Sequence, residues 1–127
     1  MRKLAIVMGA LALGACASSG GPEAAQPDVV CTLEARSSVA VTVLDAVTGE
    51  NLAPEATVRV TDGTFAENLV ATPGTGVYSG VVYEREGTYT IVVSRPEYDQ
   101  WQRAGVVVER DECHVITEEV TARLTPR

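Results

Sequence analysis

The chain has 127 residues, with 17 acidic and 10 basic side chains, a formal net charge of −7 at neutral pH and a single histidine. Its arginines are scattered and Lys3 is its only lysine, so no basic stripe exists to displace counterions. That excludes nucleic acid and anionic headgroup surfaces as natural partners.

The start of the chain carries its most specific signal. Met1-Arg2-Lys3 is positive, and Leu4 to Leu13 is an apolar run of secretory-signal length, too short to span a bilayer stably. It ends in Leu13-Gly14-Ala15-Cys16, which resembles the bacterial lipobox, where small residues admit the peptidase and the cysteine thiol carries a diacylglycerol. The resemblance implies a signal peptide over residues 1–15, lipidation of Cys16 and an anchor in the membrane on the periplasmic side of a bacterial cell envelope. A third acyl chain on the freed amine is part of the same implication, and each buried methylene adds about 0.8 kcal/mol of membrane affinity. The alternative is an ordinary signal peptide followed by an incidental cysteine. Ala17, rather than Asp, follows Cys16, which under the enteric sorting rule points to the outer membrane.

Residues 16–30 are expected to form a lipidated cysteine and flexible tether, because the small, polar stretch from Ala17 to Asp28 has no periodicity that could bury a face. About fourteen such residues give a root-mean-square reach of roughly 20 Å. Residues 31–127 (127 − 30 = 97 residues) suffice for one small domain with a marginal core. Lipidation of Cys16 leaves Cys31 and Cys113, and in an oxidising compartment the one possible bridge joins them. Closing a loop of about eighty residues contributes about 4.5 kcal/mol in the chain-entropy model. Two unrelated buried thiols are the alternative. Removing Arg2 and Lys3 with the signal gives a mature charge of 8 − 17 = −9. That charge serves solubility or favours a cationic partner.

Within the domain, Val39, Val41 and Val43 alternate along Val39 to Asp45, predicting a strand with one buried face and Ala40, Thr42 and Leu44 on the other. Further strands are predicted over Ala56 to Thr61, Val77 to Tyr83, Thr88 to Ser94, Gly105 to Val108 and His114 to Leu124, with a weaker one over Phe65 to Ala71. Turn chemistry separates them at Asp45 to Gly49, Asp62-Gly63, Pro73 to Gly76, Glu86-Gly87 and Arg110 to Glu112. No segment reads as a helix, and short strands at this spacing predict an all-β sandwich. In the last run, Ile116, Val120, Ala122 and Leu124 share a face with Glu118, so either a bulge or edge splaying is required there.

The stretch Val41 to Gly49, followed by Ala56 to Val60, Gly87 to Val93 and Tyr98, resembles the carboxypeptidase regulatory-like domains. The resemblance implies a transthyretin-like seven-stranded Greek-key β-sandwich over roughly Ser38 to Leu124. In that pattern Asp45 and Thr48 cap a turn closed by Gly49, while Gly87 opens a strand bearing buried Tyr89. Glu97, where such domains commonly have Gly, and Asn51 to Pro54 depart from the pattern in loops only. The resemblance also implies that the first and last long strands run in parallel, which places Cys31 and Cys113 at one end.

The stretch Arg110 to His114 gathers carboxylates, a thiol and the histidine, but neighbours in a strand point to opposite faces, so Cys113 and His114 are badly placed for proton transfer. One histidine is too few for a zinc site, and no cofactor motif is present. Hydroxyisourate hydrolases of the transthyretin-like fold use several histidines and a tyrosine-containing C-terminal signature, whereas this chain ends Leu124-Thr125-Pro126-Arg127. No serine lies in a nucleophile-elbow context. The expectation is a non-enzymatic module without metal, in which His114 caps a strand or orders the loop around the bridge. Binding sites on such folds lie in loops, and the candidate loop is Arg95 to Arg103. There Tyr98, Trp101 and Arg103 are the candidate contacts for an envelope protein or glycan, or alternatively a lid on the core. A second reading is an inhibitor of a cationic enzyme such as lysozyme, because Ser79-Gly80-Val81-Val82-Tyr83 is similar to the Ser-Gly-x-x-Tyr motif of lipoprotein lysozyme inhibitors. Exposure of Ser79 and Tyr83 would keep that reading alive.

Overall fold

Alternation decides the first strand in a computed structural model that describes residues 29–127: in β1 (Val39–Asp45), Val39, Val41 and Val43 are at most 1% exposed. The signal peptide, Cys16 and the tether up to Asp28 lie outside the described residues. The same rule governs β2 (Thr57–Asp62), which buries Val58 and Val60, and β6 (Gly87–Ser94), which buries Tyr89, Ile91 and Val93. Each such aliphatic side chain removed from water contributes about 1.5–3 kcal/mol. The remaining strands are β3 (Phe65–Asn68), β4 (Val70–Thr72), β5 (Val77–Ser79), β7 (Trp101–Val108) and β8 (Glu118–Leu124).

These make two four-stranded sheets, ordered β4-β5-β1-β8 and β3-β2-β6-β7, which enclose the valine-rich core as an all-β sandwich. Neighbouring strands are antiparallel except β1 and β8, which run parallel in register from Val39 opposite Glu118 to Asp45 opposite Leu124. Parallel neighbours start at one end, so the segments leading into them meet there. Cys31 and Cys113 are joined by a disulfide at that end, with Cα atoms 5.2 Å apart.

Four expectations about elements are corrected. Phe65 to Ala71 is two strands in different sheets, not one: at Leu69, which is 5% exposed, the chain crosses over, and its amide donates to Val58 O (2.8 Å). This raises the strand count among the described residues to eight. β5 stops at Ser79 rather than Tyr83 because Gly80 (φ 74°) and Val81 (φ 53°) turn the backbone out of the extended region. β7 starts four residues early, at Trp101, and absorbs an extra residue opposite Tyr89 and Ile91 in a bulge containing Gly105 (φ 71°). Finally, Ile116 does not share the inward face: it is 53% exposed and Val115 is buried in its place. β8 begins only at Glu118, whose side chain is exposed at the start of an edge strand, so no bulge inside the strand is needed.

Candidate functional site

The end of the sandwich that holds the disulfide is built around Glu84. This residue has φ 52°, and its carboxylate accepts the amides of Arg36 (2.8 Å) and Val115 (3.0 Å) while facing His114 Nδ1 at 2.8 Å. The Arg36 amide, with the His114 ring and the Val115 amide, holds the Glu84 carboxyl below the usual carboxylate range. The other ring nitrogen of His114, Nε2, lies 3.0 Å from the Thr32 hydroxyl, so the imidazole bridges Glu84 and Thr32. Asp111 Oδ1 accepts the amides of Cys113 (2.8 Å) and His114 (2.9 Å), and these donors lower its pKa. His114 is 7% exposed, so it orders the loop around the bridge, as one of the two roles read from the sequence requires.

Thr32, His114 and Glu84 have the connectivity of a hydroxyl–imidazole–carboxylate relay, which the sequence reading missed because 82 and 30 residues separate the partners. An acyl-transfer centre also needs N–H donors converging beside the hydroxyl. The amides of Arg36, Cys113, His114 and Val115 are all engaged by Glu84 or Asp111. Cys113 is a disulfide partner and so is no nucleophile. The disulfide and these hydrogen bonds fasten residues 31–36 onto the loop before β8. Among the described residues, no three His, Cys, Asp or Glu side chains converge as metal ligands.

At the opposite end, the structure separates the three candidate contacts. Tyr98 lies in the loop between β6 and β7, packs partly against the core and donates its hydroxyl to Asp45 Oδ2 at 2.7 Å. Asp45, 5% exposed, also accepts the amides of Val47 (2.7 Å) and Thr48 (2.9 Å). These donors, the Thr48 amide foremost, hold its carboxyl below the ordinary range, and Asp45 in turn raises the Tyr98 pKa. Arg95 stacks 5.2 Å from the Tyr98 ring centre. Tyr98 is thus a strut between the sheets. Trp101 and Arg103 are not loop residues: they sit on β7, opposite Val93 and Ile91, at the edge of the sheet. They meet each other, with the Arg103 guanidinium 5.2 Å from the Trp101 ring centre. Trp101 is half-buried against the core and Arg103 is exposed.

Ser79 and Tyr83 are both accessible. Ser79 is half-buried with its hydroxyl 3.1 Å from that of Thr72, and Tyr83 is 50% exposed on the loop after β5. No family model matches the chain, and no curated protein matches it.

Proposed function

We propose that this chain is a non-enzymatic lipoprotein of the bacterial cell envelope, anchored through Cys16 on the periplasmic side, most fittingly in the outer membrane, and serving there as a binding or structural module. The observation that carries the reading is Leu13-Gly14-Ala15-Cys16 placed directly after a positive start and a short apolar run. The Cys31–Cys113 disulfide supports it, because such bonds persist in oxidising compartments. The carboxypeptidase regulatory-like reading is supported by the parallel pairing of β1 with β8 and by the Asp45 to Gly49 turn.

For the binding role, the side chains that fit best are Trp101 and Arg103, an aromatic and a cation stacked on an accessible sheet edge. Covalent crosslinking in intact envelopes, followed by affinity capture, tests this role. A specific protein or glycan captured by the native chain, and reduced for Trp101→Ala, is the expected result. Capture of nothing above background would leave only a spacer. The accessible Tyr83 and the acidic surface support inhibition of a cationic enzyme such as lysozyme as a second reading. It is tested by adding purified domain to a lysozyme assay.

A further inference from the structure

Val47, 78% exposed, lies at one pole of the sandwich, but exposed apolar side chains gather at the other. β1 and β8 begin there, β5 ends there, and the loop from β5 to β6 is pinned to it by the bridge between Ser37 and Tyr83 and by the bond from Ser38 N to Val82 O (2.9 Å). Val29, Val30 and Leu33 are 58%, 89% and 105% exposed, and nearby Val81, Tyr83 and Ile116 are 49%, 50% and 53% exposed. Cys31, bonded to Cys113, fixes the segment carrying the first three. Val81 is a β-branched residue at φ 53°, a conformation that costs free energy and turns its side chain outward while Val82 enters the core.

The chain before Val29 limits where this pole can lie. Residues 17–28 (28 − 16 = 12 residues) separate it from Cys16. Thirteen steps of at most about 3.5 Å keep Val29 within about 45 Å of the anchor in any conformation. We infer that this pole is a membrane-contacting surface, with Val29, Val30 and Leu33 seated at the headgroup and acyl-chain boundary of the bilayer that holds the Cys16 lipid. The inference rests on the lipid-anchor reading above. Protruding aliphatic side chains suit a lipid surface, which yields to their shape and removes them from water. Nearby carboxylates select the kind of surface. Glu34 is paired with Arg36 at 2.8 Å, and Glu84 and Asp111 are engaged by amides, but Glu112 and Glu118 remain exposed. The surface that fits is zwitterionic rather than anionic.

The test uses the lipidated full chain carrying Leu33→Trp in a Trp101→Phe background. It is reconstituted in phosphatidylethanolamine and phosphatidylcholine vesicles with or without brominated acyl chains. The introduced indole should emit at shorter wavelength than in water, and brominated lipid should quench it roughly twofold or more, as a boundary location requires. Val30→Trp in the same background should behave alike, which guards against a local distortion at one site. Protein that floats with the vesicles while both indoles emit as in water, unquenched, overturns this inference alone. Failure to float overturns the anchor reading with it. A blue shift that appears without vesicles in unlipidated Cys16→Ser protein, and grows with protein concentration, would assign the pole to a second copy instead and overturn the inference.

Discussion

The Tyr98 hydroxyl donates to the buried carboxylate of Asp45 at 2.7 Å, joining the loop after β6 to the end of β1 in the opposite sheet. Removing the hydroxyl leaves one oxygen of Asp45 without this donor in a largely desolvated position. Tyr98→Phe should therefore lower the thermal midpoint by about 5 °C for a domain of this size. Partner capture should stay unchanged. An unaltered midpoint would show that the bond contributes nothing.

One half of that site was legible in the sequence and the other was not. Asp45, Thr48 and Gly49 announce a turn through residue type and close spacing, and the Asp45 side chain does accept the Val47 and Thr48 amides. Its second oxygen finds Tyr98, 53 residues away, by tertiary packing alone. The same contrast holds for the strands. Alternating apolar residues revealed β1, β2 and β6, whereas Trp101 to Ala104 lack alternation and hid the first half of β7. The fastening of His114 by Glu84 and Thr32 depends on a loop with a positive φ at Glu84, which no local pattern records.

Acid should destabilise the domain at a definable point. Asp45, Glu84 and Asp111 each have a folded pKa below the ordinary value, because amide and hydroxyl donors favour their ionised forms. Their contribution is complete above the unfolded-state values of about 4–4.5 and is lost as pH falls through the lower folded values. Urea midpoints should therefore drop between pH 5 and pH 3 (roughly the carboxylate range). A midpoint at pH 3 equal to that at pH 5 would contradict this.

Opening the Cys31–Cys113 bridge releases a loop with a sequence separation of 82 residues. The double variant Cys31→Ser/Cys113→Ser should lose about 2–5 kcal/mol in denaturant unfolding. It should also become protease-sensitive near Leu33. Non-reducing peptide mapping of protein taken from cell envelopes should join the two cysteine peptides. Free thiols at both positions would refute the bridge.

Trp101 and Arg103 separate stability from binding. Trp101 is half-buried, so Trp101→Ala should cost on the order of 1–2 kcal/mol of stability, whereas exposed Arg103→Ala should stay within about 0.5 kcal/mol. If the pair anchors a partner, the loss on truncating an anchor is about 2 kcal/mol, roughly thirtyfold in affinity. Capture by Arg103→Ala should therefore fall although its fold is intact. Normal capture by both variants would reduce Trp101 to a lid on the core.

Membrane anchoring of the domain requires Cys16. Cells expressing the native chain or Cys16→Ser, fed an alkyne analogue of palmitate and then fractionated, test it most directly. The native chain should take up the label and sediment with membranes, while the Ser variant should be unlabelled and released. Equal labelling of both chains, or an unlabelled native chain recovered free of membranes, would contradict the assignment of this domain as a lipid-anchored envelope protein.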